Sequence, residues 1–78
     1  MRGSGMDHAE LQKKQLSATD SHIAEAKALI ARQRAVLARA RAVGYPLETP
    51  QATLDALESS LLMFEQHRER MISNMMNG

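Results

Sequence analysis

Apolar residues in the first half of the chain recur every seven positions at Leu16, Ile23, Ile30 and Leu37. Ala26 and Ala40 lie between them, and Leu29, Val36 and Val43 lie beside them. This is the stripe of an amphipathic helix that lies against another helix, and the alanines let two backbones approach closely. In the second half Leu54, Leu57, Leu61, Phe64, Met71 and Met75 recur at spacings of three and four, interrupted by Arg68. Leu62, Met63 and Ile72 widen that face. Each stripe holds more apolar surface than a single partner helix can cover.

The breaks in this pattern fall in one window. Gly44, Pro46 and Pro50 cluster within Gly44-Tyr45-Pro46-Leu47-Glu48-Thr49-Pro50, and no Gly or Pro occurs between Met6 and Val43 or between Gln51 and Asn77. The chain therefore reads as a single all-α domain over residues 6–78, an antiparallel two-helix hairpin with a helix over about 7–43, a turn over 44–49 and a helix over about 50–76. Asp7 and Glu10 have the spacing of a capping box at the start of the first helix. Ser17 and Asp20 repeat it, which sets a second possible start at Ser17. Gly44 suits the left-handed position just past a helix end, and Tyr45, preceding a proline, is pushed out of the helical region. Thr49 and Pro50 read as the cap and first residue of the second helix. Met1-Arg2-Gly3-Ser4-Gly5 has the character of a vector-derived scar, with Met6 as the start proper.

At 1.5 Å per residue the two helices would be roughly 55 and 40 Å long, so the first overhangs the second. Leu11 and Leu16, on the overhang from Asp7 to about Leu16, would need cover from another chain. A homodimer, two hairpins forming a four-helix bundle, is the economical arrangement. Leu16, Ile23, Ala26, Ile30, Leu37, Ala40, Leu54, Leu57, Leu61, Phe64, Met71 and Met75 are its expected core and interface residues.

Charge fits the antiparallel pairing. Residues 23–43 carry Lys27, Arg32, Arg34, Arg39 and Arg41 against Glu25. Residues 48–76 carry Glu48, Asp55, Glu58, Glu65 and Glu69 against Arg68 and Arg70. Folding at the turn sets a basic helix beside an acidic one, an effect on register more than on stability, since an exposed pair contributes at most about 1 kcal/mol. Over the whole chain of 78 residues the formal net charge is +1, without the overall basic field that drives nonspecific nucleic-acid binding, so nucleic acid is not an expected partner. No run approaches the roughly 20 apolar residues of a membrane span. The chain has no Cys, which removes disulfides, thiolate metal sites and cysteine nucleophiles and is compatible with the cytoplasm.

The chemistry-bearing groups are few. His22 and Glu25 are an i, i+3 pair on one face, and His67 stands between Glu65 and Glu69 on the second helix. An antiparallel fold would bring residue 67 near residue 26. His22, Glu25 and His67 are thus the candidates for a metal or acid–base site, weighed against the more common reading of boundary residues on a bundle surface. Met63, Met71, Met75 and Met76 could offer thioethers to Cu(I), but methionines at helical spacing are more often adaptable core filler. Arg32, Arg34, Arg39 and Arg41 could track phosphates, but no aromatic residue is interleaved for base stacking. No Gly-rich phosphate loop or nucleophile elbow occurs, and no catalytic residue, metal or cofactor is assigned.

The segments His22-Ile23-Ala24-Glu25, Ile30-Ala31-Arg32-Gln33-Arg34, Leu54 to Leu57 and Met63-Phe64-Glu65-Gln66-His67-Arg68-Glu69-Arg70 resemble a layout shared by small uncharacterised helical-hairpin proteins of α-proteobacteria. The resemblance spans about residues 16–72. It implies a bacterial, cytoplasmic setting and carries no activity. Ala35 to Ala42 and the Tyr45-Pro46 turn depart from that layout.

The leading expectation is a self-associating interaction module, an adaptor or regulator without catalysis, whose partners are itself and another helical protein. One alternative is an RNA-binding hairpin dimer similar in architecture to the plasmid copy-number regulator Rop. The other is a bundle with a His/Glu metal or acid–base site, a character that laboratory selection could give.

Overall fold

The computed structural model describes residues 7–77. The expected scar at residues 1–5 and the start at Met6 lie outside the described residues. The chain forms two helices, α1 (His8–Val43) and α2 (Glu48–Asn77), with no strand among the described residues. They pack antiparallel: Gln33 of α1 reaches the first turn of α2, while Thr19, two helical repeats earlier, meets Met71 near its end. A radius of gyration of 18.2 Å and extents of 65 × 25 × 14 Å describe a rod. A compact domain of this length would have a radius of gyration of about 12 Å.

Local chemistry sets the helix ends. Asp7 is extended (φ −74°, ψ 172°), and its carboxylate accepts the Glu10 backbone N–H at 2.8 Å, satisfying one of the donors that a helix start leaves free. The earlier of the two start signals is the one in use, so Ser17 and Asp20 lie within the helix. At the other end Gly44 adopts φ 82°. The Tyr45 N–H donates to the Ala40 carbonyl at 2.8 Å and the Gly44 N–H to the Arg41 carbonyl at 3.4 Å, the paired bonds of a Schellman turn.

The second helix begins at Glu48, two residues before the expected first helical residue, Pro50. Leu47 provides the first acceptor through its backbone carbonyl, 2.9 Å from the Gln51 N–H, and Pro50 falls at the third helical position. That position suits proline as well as the first does, because its missing N–H is still one of those a helix start leaves unpaired. Leu47 also packs on the cluster of Ile30, Leu37 and Leu54, so burial of its side chain draws the first turn inward.

The chain has therefore reversed direction by Leu47, and α2 sits about one turn further along α1 than a symmetric six-residue turn would place it. This moves His67 away from the expected neighbour Ala26, to a position beside Thr19 and His22. It also shortens the expected overhang. By the register of Thr19 with Met71, Met75 lies alongside Leu16, and both are half-buried, whereas Leu11 remains exposed.

Burial follows a seven-residue repeat more strictly than the apolar pattern does. All shielded residues of α1 fall in two columns. One is Leu16, Ile23, Ile30 and Leu37; the other is Gln12, Thr19, Ala26, Gln33 and Ala40. Large aliphatic side chains fill the first, and small or polar ones fill the second. In α2 the matching columns are Leu54, Leu61, Arg68 and Met75, continuing from Leu47, and Pro50, Leu57, Phe64 and Met71. The core proper lies toward the turn, where Ile30, Leu37 and Leu54 are buried and Leu47, Leu57 and Leu61 pack on them.

Two substitutions test this account at a fixed protein concentration. Gly44→Ala meets no atom within 4 Å of the added Cβ, so its cost is that of a left-handed backbone alone, about 1 kcal/mol of unfolding free energy in urea titrations. Leu37→Ala removes a side chain that is only 7% exposed and should cost about 2–4 kcal/mol, with helicity and midpoint followed by circular dichroism.

Candidate interaction surface

Polar residues inside the seam fix how the helices meet. The Thr19 hydroxyl, buried at 6% exposure, donates to the Gln15 carbonyl at 3.0 Å and lies 3.5 Å from the Met71 sulfur. The Gln33 side-chain amide donates to the Pro50 carbonyl at 3.0 Å, tying the start of α2 to the turn-proximal half of α1. No buried side-chain nitrogen or oxygen among the described residues lacks a partner. The seam thus tolerates Gln and Thr because each finds a hydrogen-bond acceptor there.

The two flanks of the seam differ. On one, Asp20, Lys27, Arg34 and Arg41 form a charged column of α1 beside Gln51, Glu58, Glu65 and Ile72, all half-buried, in α2. Arg34 bridges Glu58 at 3.1 Å, and Lys27 and Glu65 line one open groove together with Asp20 and Arg68. Arg68 occupies a core column yet bonds Asp20 at the rim, so its aliphatic stem covers the seam while its head reaches water. The Arg34 pair joins the basic helix to the acidic one, as the charge pattern predicts. The Arg68 pair runs the other way.

The opposite flank carries little charge. Its α1 column is His22, Leu29, Val36 and Val43, and its α2 column is Thr53, Ser60, His67 and Asn74. Leu29, Val36 and Val43 are 44%, 51% and 54% exposed, so three aliphatic side chains stand half out of the fold in a line. Beside them α2 opens a shallow groove lined by Thr49, Ala52, Thr53, Ala56, Leu57 and Ser60, with Glu48 at its end.

Further along the same flank, His22, His67, Phe64 and Met71 line a second open groove. The His22 and Phe64 rings stack with centroids 5.4 Å apart and planes 17° from parallel. The His22 Nδ1 lies 3.5 Å from the Glu25 carboxylate, with both side chains exposed. The structure thus brings His22 close to Glu25 and to the groove that His67 also lines. Among the described residues no group of three or more His, Cys, Asp or Glu side chains is placed to hold a metal ion.

The four arginines of α1 do not share a patch. At 100° per residue, Arg32 and Arg39 are turned about 160° away from Arg34 and Arg41, on opposite edges of the helix. No helix among the described residues is long and apolar enough to cross a membrane. No protein-family model, curated protein or solved structure matches the chain.

The stacked pair gives a direct test of the groove geometry. A double-mutant cycle with His22→Ala and Phe64→Leu should return a coupling of about 0.5 kcal/mol or slightly more by chemical denaturation, the lower end for aromatic pairs because His22 is exposed.

Proposed function

We propose that this chain is a small, non-catalytic helical module that works by association. Two copies pair into a four-helix bundle, and the assembled bundle offers an apolar face to another helical protein. One observation carries the reading: no side chain among the described residues is fully enclosed, while large aliphatic ones stand exposed in rows. A fully buried core residue touches six to twelve others, and two helices alone cannot provide that many neighbours. A second hairpin supplies the missing layer.

Surface area supports the same reading. The chain exposes 6072 Å², whereas a compact monomer of 8.7 kDa would expose about 4700 Å². The α2 outer face then serves the second role. Leu62, Met63 and Met76 are 55%, 68% and 81% exposed, and Met side chains adapt to varied partners. The proposal includes a cytoplasmic setting, which a chain without cysteine suits.

Light scattering across a dilution series tests the association. The expected mass rises with concentration from 8.7 kDa toward twice that value. A mass that stays at the single-chain value at every concentration rejects the proposal.

A further inference from the structure

Self-association leaves two questions, which face is shared and how the hairpins are oriented, and the flank that carries little charge answers both. Its α1 column projects Leu29, Val36 and Val43, and its α2 side recedes into the groove of Ala52, Thr53, Ala56 and Ser60. Projection and recess lie at the same height along the rod. The Arg34–Glu58 bridge and the Gln33–Pro50 hydrogen bond set residues 50–58 of α2 level with about residues 30–38 of α1, in its turn-proximal half, so Leu29 and Val36 stand at the height of the groove and Val43 lies nearer the turn.

A two-fold axis running along the rod exchanges α1 and α2 across the interface without changing their height. Each projecting column then meets the partner's groove, the reciprocal contact that a two-fold interface requires. An axis running across the rod would instead pair α1 with α1, setting projection against projection.

Charge selects the same arrangement. Arg32 and Arg39 border the projecting column, three residues past Leu29 and Val36, and Glu48 lines the end of the groove. The lengthwise axis brings Arg39 of each chain toward Glu48 of the other. The crosswise axis would face arginines with arginines.

We infer that a second copy of this chain docks on the flank that carries little charge with both turns at the same end, Leu29 and Val36 of each chain entering the small-residue groove of the other and Val43 packing beyond the groove's turn end. The inference rests on the self-association reading and names its surface and geometry. Arg34, Glu58, Asp20 and Arg68 stay on the outside, and the α2 outer face around Leu62 remains open.

Two measurements on the full chain test it. The chain has no native cysteine, so Tyr45→Cys, at an exposed turn position, carries a single spin label for pulsed distance measurement. Turns at one end give a label separation within about 30 Å, two to three helix diameters. Turns at opposite ends give about 50 Å, the length of α1. In parallel, Val36→Lys should weaken dimerisation at least tenfold by light scattering, while Leu62→Lys leaves it unchanged. The label distance is read on an unaltered flank, so it stands even if Val36→Lys loses helicity.

A short label distance with sensitivity only at Val36 supports the inference. A dimer dissociated by Leu62→Lys rather than Val36→Lys, or a label separation near the helix length, overturns it and leaves self-association intact. A native chain that stays monomeric removes the reading beneath it.

Discussion

Two rods that touch along one line can shield only a narrow strip of each, and every other property of this hairpin follows from that geometric limit. The strip in α1 is two columns wide. Large aliphatic residues occupy the column from Leu16 to Leu37, while the column from Gln12 to Ala40 holds only small or hydrogen-bonding side chains. That division permits close approach of the helices, because bulk on one side meets little on the other. It also leaves the seam thin, so that even Ile30, at 5% exposure, is covered mainly by a few leucines near the turn.

The limit gives the two flanks different roles. Where charges line the seam, Arg34, Glu58, Arg68 and Asp20 close it with bridges that reach across from helix to helix. These contribute little energy, since each partner keeps much of its contact with water, but they fix which residues stand opposite one another. On the flank with little charge only the His22–Phe64 stack, among the described residues, reaches across, and toward the turn the aliphatic side chains of Leu29, Val36 and Val43 remain half in water.

Much of this was legible in the sequence, and the gaps have physical causes. The column Leu16, Ile23, Ile30 and Leu37 announces itself because bulky residues repeat at a fixed spacing, and Gly44 marks the turn because only glycine accepts its backbone angle without strain. Gln12, Thr19 and Gln33 escape such a reading, since a polar residue is counted as surface, and only the structure shows Thr19 and Gln33 held in the seam by hydrogen bonds to backbone carbonyls. Arg68 appears as an interruption for the same reason, although its stem belongs to the core. The start of α2 and the position of His67 depart together from what the sequence pattern predicts, because Leu47 packs on the core cluster, the first turn starts earlier, and the register follows it. The row of Leu29, Val36 and Val43 was visible as a widening of the stripe. The groove beside it was not, because Thr49, Ala52, Thr53, Ala56 and Ser60 carry no signal until the rotation of α2 about its own axis is known.

The strict sevenfold spacing of the shielded columns has one more consequence, which concerns handedness. A straight α-helix completes a turn in 3.6 residues, so a contact line repeating every 3.5 must drift around it, and the pair must coil left-handed to keep its seams together. With a pitch of about 150 Å, the 54 Å or so of α1 makes about a third of a superhelical revolution. Both flanks are therefore helicoidal ribbons rather than flat strips, and they face different compass directions at the turn and at the open end. A straight rod laid against such a ribbon touches it over only part of its length, whereas a ribbon of the same pitch and hand can follow it from end to end.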